Sequence, residues 1–99
     1  MRGERGIGQL ATSDGSLAIE VSYRLIERWR DGRPIEGSFR ARRGAILPPW
    51  AADPYTSLRL TIEDGQQLQL QITKHWPSNP AQHMVETVTF FGDFMSDTQ

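Results

Sequence analysis

The side chains of this sequence with the greatest chemical reach are its arginines. Ten of them, Arg2, Arg5, Arg24, Arg28, Arg30, Arg33, Arg40, Arg42, Arg43 and Arg59, stand against a single lysine, Lys74. A guanidinium presents a planar fork of donors that meets carboxylate or phosphate oxygens two at a time, which an ammonium does not. Seven of the ten fall between residues 24 and 43, opposed there only by Glu27, Asp31 and Glu36. Charge is therefore divided along the chain. Residues 1–43 carry nine cations and six carboxylates, residues 44–99 two cations and six carboxylates, and the net charge of −1 conceals a basic half and an acidic half. Arg28, Arg30, Arg33, Arg40 and Arg42, with Trp29 and Phe39 nearby, form the candidate anion site, suited to a nucleotide or a nucleic acid. The competing reading is a solvated hairpin whose arginines pair with their acidic neighbours and cover apolar surface with their stems.

A second candidate is aromatic. Pro48-Pro49-Trp50-Ala51-Ala52-Asp53-Pro54-Tyr55 sets an indole and a phenol on a stiff segment, and Trp76-Pro77 stands at another element end. Trp50, Tyr55 and Trp76 are the candidate partner-binding residues, because such rings anchor protein interfaces. A tryptophan there also has a plain structural use, folding back to plug the end of a small barrel.

The remaining chemistry is sparse. His75 and His83 are eight residues apart, with no HxH or HExxH spacing, so no metal site is expected and both are read as loop residues. No nucleophile elbow supports a serine hydrolase, and Gly6-Ile7-Gly8 has neither the third glycine nor the helix of a phosphate loop. Without cysteine there is no disulfide, thiolate metal site or thiol nucleophile. The expectation is a protein that is not an enzyme and needs no cofactor. The N-terminal residues lack the hydrophobic stretch of about 7–15 residues that a secretory signal needs, which favours a cytoplasmic chain with no membrane partner.

The elements that must position these groups are strands. Three Asp-Gly pairs, Asp14-Gly15, Asp31-Gly32 and Asp64-Gly65, separate stretches of alternating hydrophobicity and predict hairpins with two-residue type I′ turns. Leu58, Leu60 and Ile62 before Asp64-Gly65 are answered by Leu68, Leu70 and Ile72 after it, a strict period of two. Leu17, Ile19, Val21, Tyr23 and Leu25 alternate likewise, which favours a strand over the helix that Ser16 could cap. Leu25-Ile26 breaks the parity and predicts a bulge. Strands over Ile7–Thr12, Ile35–Arg42 and Met84–Phe91 complete six, and Gly44–Pro54 is long enough to cross the end of a barrel. The predicted fold is all-β, a small antiparallel six-stranded partly closed barrel, with a two-sheet β-sandwich as the alternative. Residues 7–92 form a single β domain between a flexible N-terminus, 1–6, and a flexible C-terminal tail, 93–99.

The second half, from Ile46-Leu47-Pro48-Pro49 through Leu58-Arg59-Leu60 to Phe90-Phe91, is similar in cadence to PilZ domains. That resemblance implies a six-stranded barrel that binds cyclic di-GMP through RxxxR and DxSxxG motifs. Arg24-Leu25-Ile26-Glu27-Arg28 has the first spacing. The nearest second piece, Glu36-Gly37-Ser38-Phe39-Arg40-Ala41, has glutamate for the aspartate and alanine for the closing glycine. The expected function is thus a non-catalytic protein-interaction module, its partner a protein met at Trp50, Tyr55 and Trp76. The alternative is a binder of an anionic ligand, nucleotide or nucleic acid, through the arginine-rich hairpin 24–43.

Overall fold

The computed structural model describes residues 3–26, 35–43 and 45–95. Strands β1 (Gly3–Thr12), β2 (Ala18–Ile26), β3 (Ile35–Ala41), β4 (Leu58–Thr61), β5 (Gln67–Trp76) and β6 (Thr87–Phe94) pair in the order β1-β2-β3-β6-β5-β4 and close into an antiparallel barrel. Closure is made by β4, which pairs with β1 from Gln9↔Thr61 to Thr12↔Leu58, so the sandwich alternative is set aside. Among the described residues, no helix is long and apolar enough to cross a membrane.

The alternating pattern sorts the side chains. Val21, Tyr23 and Leu25 of β2, Phe39 of β3, Leu58 and Leu60 of β4, Leu68, Leu70 and Ile72 of β5, and Val88 and Phe90 of β6 fill the interior. Phe39 and Phe90 lie with ring centroids 5.9 Å apart at its centre. The β3–β4 connection supplies Leu47 and Ala51 to the same cluster, so it does cross one end of the barrel.

Several local expectations are corrected. Within the two described Asp-Gly pairs the glycine alone takes positive φ, +77° at Gly15 and +92° at Gly65. A type I′ turn would need the aspartate there as well. Each hairpin instead makes a type I turn, closed by Gly15 N–H to Thr12 O at 2.9 Å and by Gly65 N–H to Ile62 O at 3.0 Å, with glycine as the left-handed residue that follows. The Asp31-Gly32 turn lies outside the described residues. No bulge occurs at Leu25-Ile26: the register runs unbroken through Gly3↔Ile26, and Ile26 is simply an exposed apolar residue. The irregularity falls in β5 between Ile72 and Lys74. At the ends, β1 includes residues 3–6 of the expected N-terminal lead-in, because their backbone pairs with Tyr23–Ile26. β6 starts at Thr87 and runs on to Phe94, which pairs with Leu68.

Candidate functional site

Cross-strand register brings the arginines of β1, β2 and β3 together on the outside of the barrel. Arg5 stands directly opposite Arg24, and Arg24 is in turn opposite Ser38. One step along the strands, Ile7 faces Ser22 and Ser22 faces Arg40. Directly paired residues project from the same face of a sheet. The short serines therefore leave a depression between longer flanking arginines. It is a half-open groove of about 400 Å³, with Arg5, Ser22, Arg24, Ser38, Arg40 and Thr87 among its lining residues. The three guanidiniums are exposed, and none is ion-paired with a described carboxylate. Strands lie about 4.8 Å apart, so the groove extends about 14 Å from β1 to β6.

Beyond Thr87, where the groove ends, the outer face of β5 is set by a bulge at Thr73. Leu68, Leu70 and Ile72 point inward, and strict alternation would carry Lys74 and Trp76 inward after them. The inserted residue reverses the parity. Lys74 is paired with Thr89 and Trp76 with Thr87, on the outer face. The Thr73 and Thr89 hydroxyls bond to one another at 2.9 Å beside the bulge. Trp76 is 39% exposed, and the Lys74 ammonium rests 4.0 Å from its ring centroid, a cation–π contact.

Behind the groove, on the inner side of the same stretch of β1, the glycines of Gly6-Ile7-Gly8 make room for a clasp. The buried Tyr23 hydroxyl accepts the Glu63 N–H at 3.1 Å, and the Glu63 carboxylate accepts the Ile7 N–H at 2.9 Å. A β-carbon on Gly6 would lie 2.9 Å from the Tyr23 hydroxyl oxygen, and one on Gly8 would lie 2.5 Å from Thr61 O. Burial, above all, pushes the Tyr23 phenol above its ordinary range, against the opposing pull of the Glu63 N–H. The clasp holds β1, and with it Arg5 and Ile7, where the barrel end is no longer closed by β4.

The expected anion site is reached only in part. Arg40 lines the groove; Arg42 is engaged by Glu20 at 2.9 Å; Arg28, Arg30 and Arg33 lie outside the described residues. Arg59, on β4, turns a half-buried guanidinium to the Ser13 carbonyl at 3.5 Å. Arg5, Arg24, Ser22 and Ser38 were not among the expected site residues. A signal existed: Arg5 lies nine residues before Asp14 and Arg24 nine after Gly15, equidistant from the first turn.

The three candidate aromatics diverge. Trp50 is half-buried and packs against the core, on the 3₁₀ turn Pro49–Ala52. Tyr55 is 94% exposed, its backbone N–H held at 2.9 Å by the Asp53 carboxylate. Trp76 lies under Lys74, and among the described residues no ring contact joins the three. His83 is in a loop as expected, whereas His75 stands in β5, its Nε2 2.6 Å from the Glu86 carboxylate.

The fold and this surface define a class, a closed six-stranded antiparallel barrel with a cationic groove across its outer face. The chain matches no family model, no curated protein and no solved structure, so the likeness in cadence to PilZ domains stands on the residues quoted for it alone.

Proposed function

We propose that the protein is a non-catalytic binding domain for a phosphate-bearing anion, held in the groove by Arg5, Arg24 and Arg40. The observation that carries this reading is the direct opposition of Arg5 and Arg24 in the β1–β2 register, with neither ion-paired to a described carboxylate. Like charges facing one another across a strand pair destabilise the free domain. A dianion between them turns that repulsion into two charge-assisted, bidentate contacts. Ser22 and Ser38 bring hydroxyl donors to the floor, and Arg40 closes the flank. The proposal also puts the domain in the cytoplasm, where a cysteine-free chain loses nothing to reduction.

Calorimetric titration with pyrophosphate and with nucleoside triphosphates, at low and at physiological salt, tests the reading. Binding that weakens with salt is expected, with a further loss of about tenfold or more in Arg24→Gln, since a hydrogen bond to a charged group contributes roughly 1.5–3 kcal/mol. The absence of binding at low salt, or equal affinity in the variant, overturns it.

A second reading, a protein partner met at Trp50, Tyr55 and Trp76, is favoured by the near-complete exposure of Tyr55. It carries less because Trp50 is turned into the core.

A further inference from the structure

Building on the anion-binding reading, we propose that the ligand is a single-stranded nucleic acid laid across the strands, from Arg5 on β1 to Trp76 on β5. The groove is suited to a backbone and poorly suited to an isolated nucleotide. Sites for small ligands enclose most of the ligand's surface, whereas this one is half open to solvent. The two aromatic residues along it, Tyr23 and Phe39, are 4% and 1% exposed and belong to the core. Their ring faces are not offered to a base.

An exposed indole, Trp76, stands one pairing step beyond Thr87 at the far edge of the groove. Phosphate donors and base platform are thus separated. Arg24 and Trp76 stand three strand spacings apart and two residues out of line, about 16 Å across the sheet, which linked nucleotides span and a mononucleotide does not. The Lys74 ammonium over the indole can turn to a phosphate and free the ring for a base. Stacking is indifferent to base identity, so binding with little sequence preference follows. A duplex keeps its bases stacked inside and has none to give Trp76.

Fluorescence anisotropy of a labelled twelve-residue oligothymidylate, at several salt concentrations, provides the test. The expected result is binding whose logarithmic salt slope is about −2, from roughly 0.7 per contact over three phosphates. The same duplexed sequence should bind more weakly, and Trp76→Ala should bind about tenfold more weakly. Trp76→Phe should recover most of that loss, and circular dichroism confirms that both variants keep the β fold. If pyrophosphate and nucleoside triphosphates bind at Arg24 while the oligonucleotide does not, this inference fails and the anion site stands. If no phosphate-bearing ligand binds, both fail. Equal affinity for the duplex, or for polyglutamate, or an unchanged affinity in Trp76→Ala, overturns the single-strand assignment.

Discussion

A methyl group added at Gly8 would sit 2.5 Å from the backbone oxygen of Thr61, in the strand pair that closes the barrel. At Gly6 its closest neighbour, at 2.6 Å, is the side-chain tip of Glu63, which can swing away. Gly8→Ala should therefore cost the larger share of the roughly 1–3 kcal/mol typical of overpacking. Gly6→Ala should chiefly release the Ile7 N–H, a difference that urea denaturation of the two variants resolves. Neither role was legible in the sequence, where Gly6-Ile7-Gly8 resembles half a phosphate loop, because the reason lies 56 residues away in Glu63. Asp14 is the opposite case, an aspartate whose partners are all local. The Ser16 N–H first, then the Thr12 and Ser16 hydroxyls, hold its carboxyl down at a pKa of about 2, below the ordinary aspartate range. A depressed acid stabilises the fold above its unfolded pKa and loses that contribution as pH falls through the folded one. The first hairpin should thus loosen between about pH 4 and pH 2. A carboxyl NMR titration of Asp14 checks this, and a midpoint near the ordinary aspartate range contradicts it.

Among the elements, β2 and β3 carry both core and groove, and their two faces respond to substitution with opposite signs. Phe39→Ala, at the centre of the interior, should destabilise by about 3–5 kcal/mol. Arg24→Gln, on the outer face, should leave stability unchanged or raise it by a few tenths of a kcal/mol, because it removes the like charge opposite Arg5. Thermal denaturation of both variants separates the two cases. A strong loss in Arg24→Gln would mean that the guanidinium supports the fold. Strand identity was readable here from Leu17, Ile19, Val21, Tyr23 and Leu25, since a core that takes every second residue leaves its period in the sequence. The bulge was not. Leu25-Ile26 breaks the alternation but pairs regularly, whereas Thr73, whose insertion turns Lys74 and Trp76 outward, interrupts no hydrophobic pattern. Parity read from the sequence therefore places Trp76 on the wrong face.

At the scale of the whole molecule, closure accounts for what six short strands can hold without a disulfide. Every strand is paired on both sides over part of its length, and the β3–β4 connection adds Leu47 and Ala51 to the core at one end. The charge division visible in the sequence acquires a place: Arg5, Arg24 and Arg40 of the basic half converge on one outer groove. Their convergence depended on a register that the Asp14-Gly15 turn sets, while the expected arginines at 28, 30 and 33 fall outside the described residues. On the proposed function this groove, rather than the exposed Tyr55 beside Gln69, Gln71 and Asp93, receives an anion. Amide NMR shifts followed during titration with pyrophosphate at low salt test it most directly. Shifts should gather at Arg5, Ser22, Arg24, Ser38 and Arg40 and disappear in an Arg5→Gln, Arg24→Gln double variant. Shifts gathered instead around Tyr55 and Asp93, or none at any concentration, would contradict it.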